Sequence, residues 1–120
     1  MRVLIVGAFG TVTSAIIRKF GKEGARIYAL TGGKNSENSD KKVEEQYDFS
    51  YDNNCIKEVF ESVNPDVTIF TGAFDSNFEW SSGYSEMVKF RAGLYNCLNA
   101  FSFLNHGRFI FLSSNEVNSF

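Results

Sequence analysis

The chain is poor in residues that interrupt or cross-link a polypeptide. A single proline in 120 residues excludes proline-rich linkers. The two cysteines, Cys55 and Cys97, stand alone in apolar-periodic stretches, without CxxC spacing or a neighbouring histidine. Neither a disulfide framework nor a metal site is expected, and a reduced, cytoplasmic setting is the reading they favour. No apolar run approaches the roughly 20 residues of a bilayer span, because the N-terminal run stops at Gly7. Charge of one sign is lacking too: 12 Lys plus Arg against 14 Asp plus Glu leave a net charge of −2. The basic residues are scattered, so neither nucleic acid nor a membrane is an expected partner.

What is present suits one globular domain, since domains take about 100–200 residues and this chain is 43% hydrophobic and 22% charged. Thirteen phenylalanines in an aromatic share of 16% suggest a phenylalanine-rich core and apolar surface reserved for a partner or a further segment.

The apolar pattern switches repeatedly between two periods. Val3–Val6 is a short aliphatic run ending in glycine, as expected of a strand buried on both faces of a parallel sheet. After Gly7-Ala8-Phe9-Gly10, the four-residue spacing of Val12, Ile16 and Phe20 predicts an amphipathic helix closed by Gly21 or Gly24. Ile27–Leu30 reads as a second strand, Thr31–Lys42 as a polar loop, and Val43–Phe49 as a weak third strand. Asp52 or Asn53 then caps a helix whose Ile56, Val59, Phe60 and Val63 fall at i, i+3, i+4 and i+7, with Asn64-Pro65-Asp66 ending it. Val67–Thr71 is a fourth strand. A long helix carries Met87, Phe90, Leu94, Leu98 and Phe101 on one stripe and ends at Asn105-His106-Gly107, and Phe109–Leu112 is a fifth strand.

Aliphatic strands alternating with helices imply a doubly wound α/β fold: a parallel sheet of order 3-2-1-4-5 between helical layers, αβα. Ligands of such folds bind beyond the carboxyl ends of the strands, here Gly7, Thr31, Asp48, Gly72 and Ser113. Gly7-x-x-Gly10 lies where a strand opens into a helix, so its free amides and the helix N-terminus suit an anion such as a dinucleotide pyrophosphate. The simpler alternative is that the glycines only shape a turn.

On these residues the chain resembles the short-chain dehydrogenase/reductase superfamily, in particular its extended branch of nucleotide-sugar epimerases, dehydratases and reductases. The family's GxxGxxG is matched by Gly7-Ala8-Phe9-Gly10-Thr11-Val12-Thr13, with Thr13 in place of the third glycine. Asn64-Pro65-Asp66-Val67-Thr68-Ile69 is similar to its PDVVI strand, and Thr71-Gly72-Ala73 to its LAA or NAA. Arg108 through Val117 resembles RFVFISTDEV. The resemblance implies a cofactor site of Gly7, Phe9, Gly10, Thr11, Val12, Thr31, Lys34, Asp48, Phe49, Thr71, Gly72, Ala73 and Ser113. Asp48 would contact adenine, and Ser114 would stand as the catalytic hydroxyl that hydrogen-bonds the substrate oxygen. No metal site is implied.

Four departures qualify that likeness. Asn115 replaces the aspartate of the dehydratase Asp-Glu pair and cannot exchange a proton, which weakens a dehydratase reading. Phe90 stands ahead of Gly93 where relatives carry asparagine, and Asn118-Ser119 replaces Tyr-Gly. No tyrosine in the chain precedes a lysine by four residues, so the family's Tyr-x-x-x-Lys pair is missing.

The end of the second strand bears on cofactor choice. NAD is favoured by a carboxylate there and NADP by a cation. This chain has Thr31, then Gly32-Gly33-Lys34, which tilts the choice toward NADP, while Glu37 and Asp40 keep NAD open. Trp80, Phe74 and Phe78 either line a substrate pocket or cover the sheet edge, and His106 at a helix end takes no chemical role. The long helix reads as core or as a homodimer contact.

The resulting expectation is that residues 1–120 form the NAD(P)-binding Rossmann domain of an extended epimerase, dehydratase or reductase acting on a sugar nucleotide, without the C-terminal catalytic and substrate part. The alternatives are a non-catalytic dinucleotide-binding or regulatory module, and a nucleotide-free scaffold.

Overall fold

A computed structural model of the chain describes residues 1–7, 11–32, 43–49, 53–71 and 84–112. The elements run β1 (Arg2–Val6), α1 (Thr11–Lys22), β2 (Arg26–Gly32), β3 (Val43–Phe49), α2 (Asn53–Val63), β4 (Val67–Phe70), α3 (Tyr84–Ser102) and β5 (Arg108–Phe111). The strands form one parallel sheet of order β3-β2-β1-β4-β5. Both the doubly wound class and the strand order are as the sequence pattern predicts.

Alternation along the strands divides the core in two, because successive side chains of a strand point to opposite faces. Val3 and Ile5 pack with Ile17 of α1 and with Ile27, Ala29, Val43 and Ile69. Leu4 and Val6 face the other way, into Ile56, Val59, Phe60 and Val63 of α2, Cys97 and Ala100 of α3, and Leu30 and Phe70. The sheet is therefore a middle layer with α1 on one face and α2 and α3 on the other. Among the described residues Phe60 and Phe70 are fully buried, and the other fully buried large side chains are aliphatic. Phe70 also seeds an aromatic cluster at β5, stacking with Phe109 and Phe111 at centroid distances of 6.3 and 5.7 Å. Ile110 and Phe111 of β5, together with Phe103 beyond α3, present apolar surface to solvent.

Two helices turn a different face to the sheet from the one their spacing suggests. In α1 the buried line is Thr13 and Ile17, with Ile16 and Phe20 beside it, whereas Val12 is 61% exposed. The buried face of the helix therefore runs along Thr13 and Ile17. In α3 the buried line is Gly93, Cys97 and Ala100; Leu94 and Phe101 flank it, and Leu98 is 43% exposed. Small residues sit where α3 packs on its neighbours and larger ones fill the sides, which rotates the helix by one residue, about 100°. The side chains of Met87 and Phe90 lie outside the described residues. Strand β2 extends through Thr31 and Gly32, because β3 is long enough to pair with both, so the loop begins two residues later than the sequence pattern suggests. At its other end β3 carries one extra residue against Ile27 and Tyr28, a bulge on an edge strand.

Both described cysteines are free thiols, and burial pushes the thiol of Cys97 up to about 12. His106 is exposed and its Nε2 lies 2.6 Å from Asn64 Oδ1, joining the loops that follow α2 and α3. No helix among the described residues is long and apolar enough to cross a membrane.

Two positions give measurable consequences. Thr68 is fully buried and its Oγ1 finds no hydrogen-bond partner among the described residues. Thr68→Val keeps the shape and removes the orphaned hydroxyl, so denaturant unfolding is expected to show a gain of about 1 kcal/mol. Gly107 has φ +93°, and a Cβ there would lie 2.9 Å from the Asp66 carbonyl oxygen and 3.1 Å from that of Pro65. Gly107→Ala is therefore expected to cost about 1–3 kcal/mol in the same measurement.

Candidate functional site

The carboxyl edge of the sheet is built by one more rung of hydrogen bonds beyond the strands. Gly7 N–H donates to Leu30 O at 2.9 Å, Thr71 N–H to Val6 O at 2.9 Å and Leu112 N–H to Phe70 O at 2.9 Å. On the far side Thr31 pairs with Asp48. Residues 48, 31, 7, 71 and 112 thus form a row across the sheet, which at about 4.8 Å per strand spans roughly 19 Å.

The chain reverses direction within that row. It travels from β1 outward through β2 to β3, then crosses through α2 to β4 on the opposite flank of β1. The crevice at such a switch point is where open α/β sheets bind ligands, and here it falls between Gly7 and Thr71. Gly7 is buried and has φ 139°, a conformation that side chains rarely adopt, so the exit from β1 requires glycine. Four residues on, α1 begins at Thr11, and its first turn contains no acidic residue while its last turn carries Lys19 and Lys22. The N-terminus thus keeps its partial positive charge uncancelled by any carboxylate of its own. Thr71 is half-buried just past β4, and its hydroxyl donates to Val6 O at 3.0 Å.

The expected site residues divide as follows. Gly7 and Thr71 face each other across the switch point. Thr11 and Val12 are the first two residues of α1, with the Val12 side chain exposed. Thr31 lies next to the end of β2, and Asp48 and Phe49 close β3 in register with Thr31 and Gly32. Phe9, Gly10, Lys34, Gly72, Ala73, Ser113 and Ser114 lie outside the described residues, as do Phe74, Phe78 and Trp80. The bond from the Thr71 hydroxyl to Val6 O is not signalled by the likeness of Thr71-Gly72-Ala73 to LAA or NAA. Its one advance signal was a hydroxyl residue at a strand end.

The chain matches the NAD dependent epimerase/dehydratase family over residues 3–118. It belongs to that family. Solved structures with the same fold include UDP-glucose 4-epimerase of Thermotoga maritima with UDP-glucose, at 17% identity and TM-score 0.78, with 95% of this chain and 38% of that one covered. UDP-glucose 4-epimerase of Thermus thermophilus in complex with NAD follows at 20% identity and TM-score 0.76, again covering 95% and 38%. The Bordetella bronchiseptica enzyme WbmH in complex with NAD+ is 19% identical with TM-score 0.70, covering 90% and 37%. A search of curated proteins found no match. The chain therefore spans under two-fifths of the length of these solved relatives.

For this epimerase/dehydratase-family domain the acid-free start of α1 leads to a prediction in which stability and binding move in opposite directions. A carboxylate near a helix N-terminus stabilises the helix by about 0.3–1 kcal/mol but repels a bound phosphate. Because Val12 is exposed, Val12→Asp is expected to hold or raise the melting temperature while weakening NADH binding about tenfold. Differential scanning fluorimetry beside a fluorescence titration checks both.

Proposed function

We propose that Gly7, Gly10 and the start of α1 hold the pyrophosphate of a nicotinamide dinucleotide, with the adenosine half toward Asp48 and Phe49 and the nicotinamide half toward Thr71, Ala73 and Ser113. The single observation that carries this reading is the placement of a φ 139° glycine at the switch point, four residues before an acid-free helix N-terminus. The residues present fit the group: a backbone turn that leaves no side chain at Gly7, a helix dipole aimed at an anion, and an acidic residue at position 48 in the same edge row. The same reading assigns Phe9 and Thr11 to the pyrophosphate turn and, because their side chains are small, gives Gly72 and Ala73 the part of leaving room for the dinucleotide backbone. When bound, the nicotinamide supplies a hydride acceptor or donor.

The proposed cofactor is NAD or NADP, with Lys34 beyond β2 offering an ammonium to a 2′-phosphate and so tilting the preference toward NADP. The NAD complexes of the solved relatives support NAD as the competing choice. In a longer protein, a sugar nucleotide would lie beyond Ser113 and Ser114, with the Ser114 hydroxyl hydrogen-bonding its reacting oxygen. UDP-glucose in the Thermotoga maritima relative supports that class. The exposed Tyr95 and Leu98 of α3 suit a homodimer contact.

A second reading, a dinucleotide-binding or regulatory module without turnover, is favoured by the missing Tyr-x-x-x-Lys pair. Without a phenol beside a lysine, these 120 residues have no acid suited to couple a proton to hydride transfer. The two readings agree on the isolated chain and differ for a longer one.

The test is a titration of the chain with NADH and NADPH, followed by assay of hydride transfer with UDP-glucose. Saturable binding and no turnover are expected. Lys34→Ala is expected to weaken NADPH about tenfold, through loss of one charge-assisted contact, and to leave NADH unchanged. Equal losses for both nucleotides would remove Lys34 from the specificity argument, and no binding of either would defeat the cofactor reading.

A further inference from the structure

We infer that the Thr71 hydroxyl is a latch across the switch point that positions the phosphate-binding turn. This rests on the reading of Gly7 and Gly10 as the pyrophosphate site. The Val6 carbonyl receives two donors from one residue, the Thr71 N–H at 2.9 Å and the Thr71 hydroxyl at 3.0 Å. The other end of the same peptide unit, Gly7 N–H, donates to Leu30 O at 2.9 Å. The peptide joining residues 6 and 7 is therefore held from both flanks, its carbonyl by the β4 side and its amide by the β2 side.

The location makes the second donor matter. β1 ends at Val6 and β4 at Phe70, so this rung lies beyond both strands, where ladders fray. The residue that follows is a glycine at φ 139°, which has no Cβ to limit its own conformations, so its orientation must be imposed by what precedes it. A hydroxyl added to the backbone bond supplies that restraint at the point where the chain leaves the sheet. It also crosses the crevice, tying together the two strands between which a dinucleotide would pass. Thr71 acts through Val6 and Gly7 and is a positioning residue.

Thr71→Val preserves volume and the backbone bond but removes the hydroxyl, and Thr71→Ser restores the hydroxyl without the methyl. Both are made in the 120-residue chain and read in two ways. Amide hydrogen exchange of Gly7, followed by NMR without ligand and normalised to mid-strand Ile5, is expected to accelerate about fivefold in Thr71→Val and to return near the wild-type rate in Thr71→Ser. The dissociation constants for NADH and NADPH are expected to rise together, about fivefold, in Thr71→Val and to recover in Thr71→Ser, with the melting temperature of both variants close to wild type. Unchanged exchange at Gly7 in Thr71→Val overturns the latch. Faster exchange with unaltered nucleotide affinity overturns its link to the cofactor. Failure of the wild-type chain to bind either nucleotide overturns the pyrophosphate reading on which the inference rests, and is distinguishable because the exchange comparison needs no ligand.

Discussion

The carboxyl edge of this domain depends on one constraint: β1 must be hydrogen-bonded on both sides, to β2 and to β4, and still release the chain upward at Gly7. A strand in the middle of a parallel sheet has no free backbone groups until it ends. The first amides that can face a ligand are those past the last rung, and the rung from Leu30 through Gly7 and Val6 to Thr71 decides where that is. The glycine at φ 139° is the price of turning away from the sheet immediately. Because the connection through α2 then continues on the opposite flank, the chain reverses direction about β1, and the switch point falls between β1 and β4.

The two helical layers answer to the same strand. Val3 and Ile5 need a cover on one face and Leu4 and Val6 on the other. α1 supplies the first through Ile17, with Thr13 also buried. α2 and α3 supply the second, α2 through branched and aromatic side chains and α3 through Cys97 and Ala100. Packing is less complete toward β5, where Phe70, Phe109 and Phe111 stack but Ile110 remains 40% exposed.

Membership of the epimerase/dehydratase family and the row of edge residues support each other without being the same statement. The match over residues 3–118 concerns the order of residue types along the chain. The row concerns which of them meet. Positions 7, 31, 48 and 71 are far apart in sequence and come together because parallel register aligns the ends of neighbouring strands.

The strand and helix order was legible in the sequence, since short aliphatic runs bounded by glycine or polar residues suit only strands covered on both faces. So was α2, whose four apolar positions all proved buried, and the end of β1 at a glycine. What only the tertiary structure decided is finer. A one-residue shift turns a helix by about 100°, and an apolar residue at Val12 or Leu98 costs little when exposed, so spacing alone could not select the faces of α1 and α3. The length of β2 was set by its partner β3. The bond from Thr71 to Val6 joins residues that no local pattern relates, and it exists because the crossover through α2 brings β4 back alongside β1.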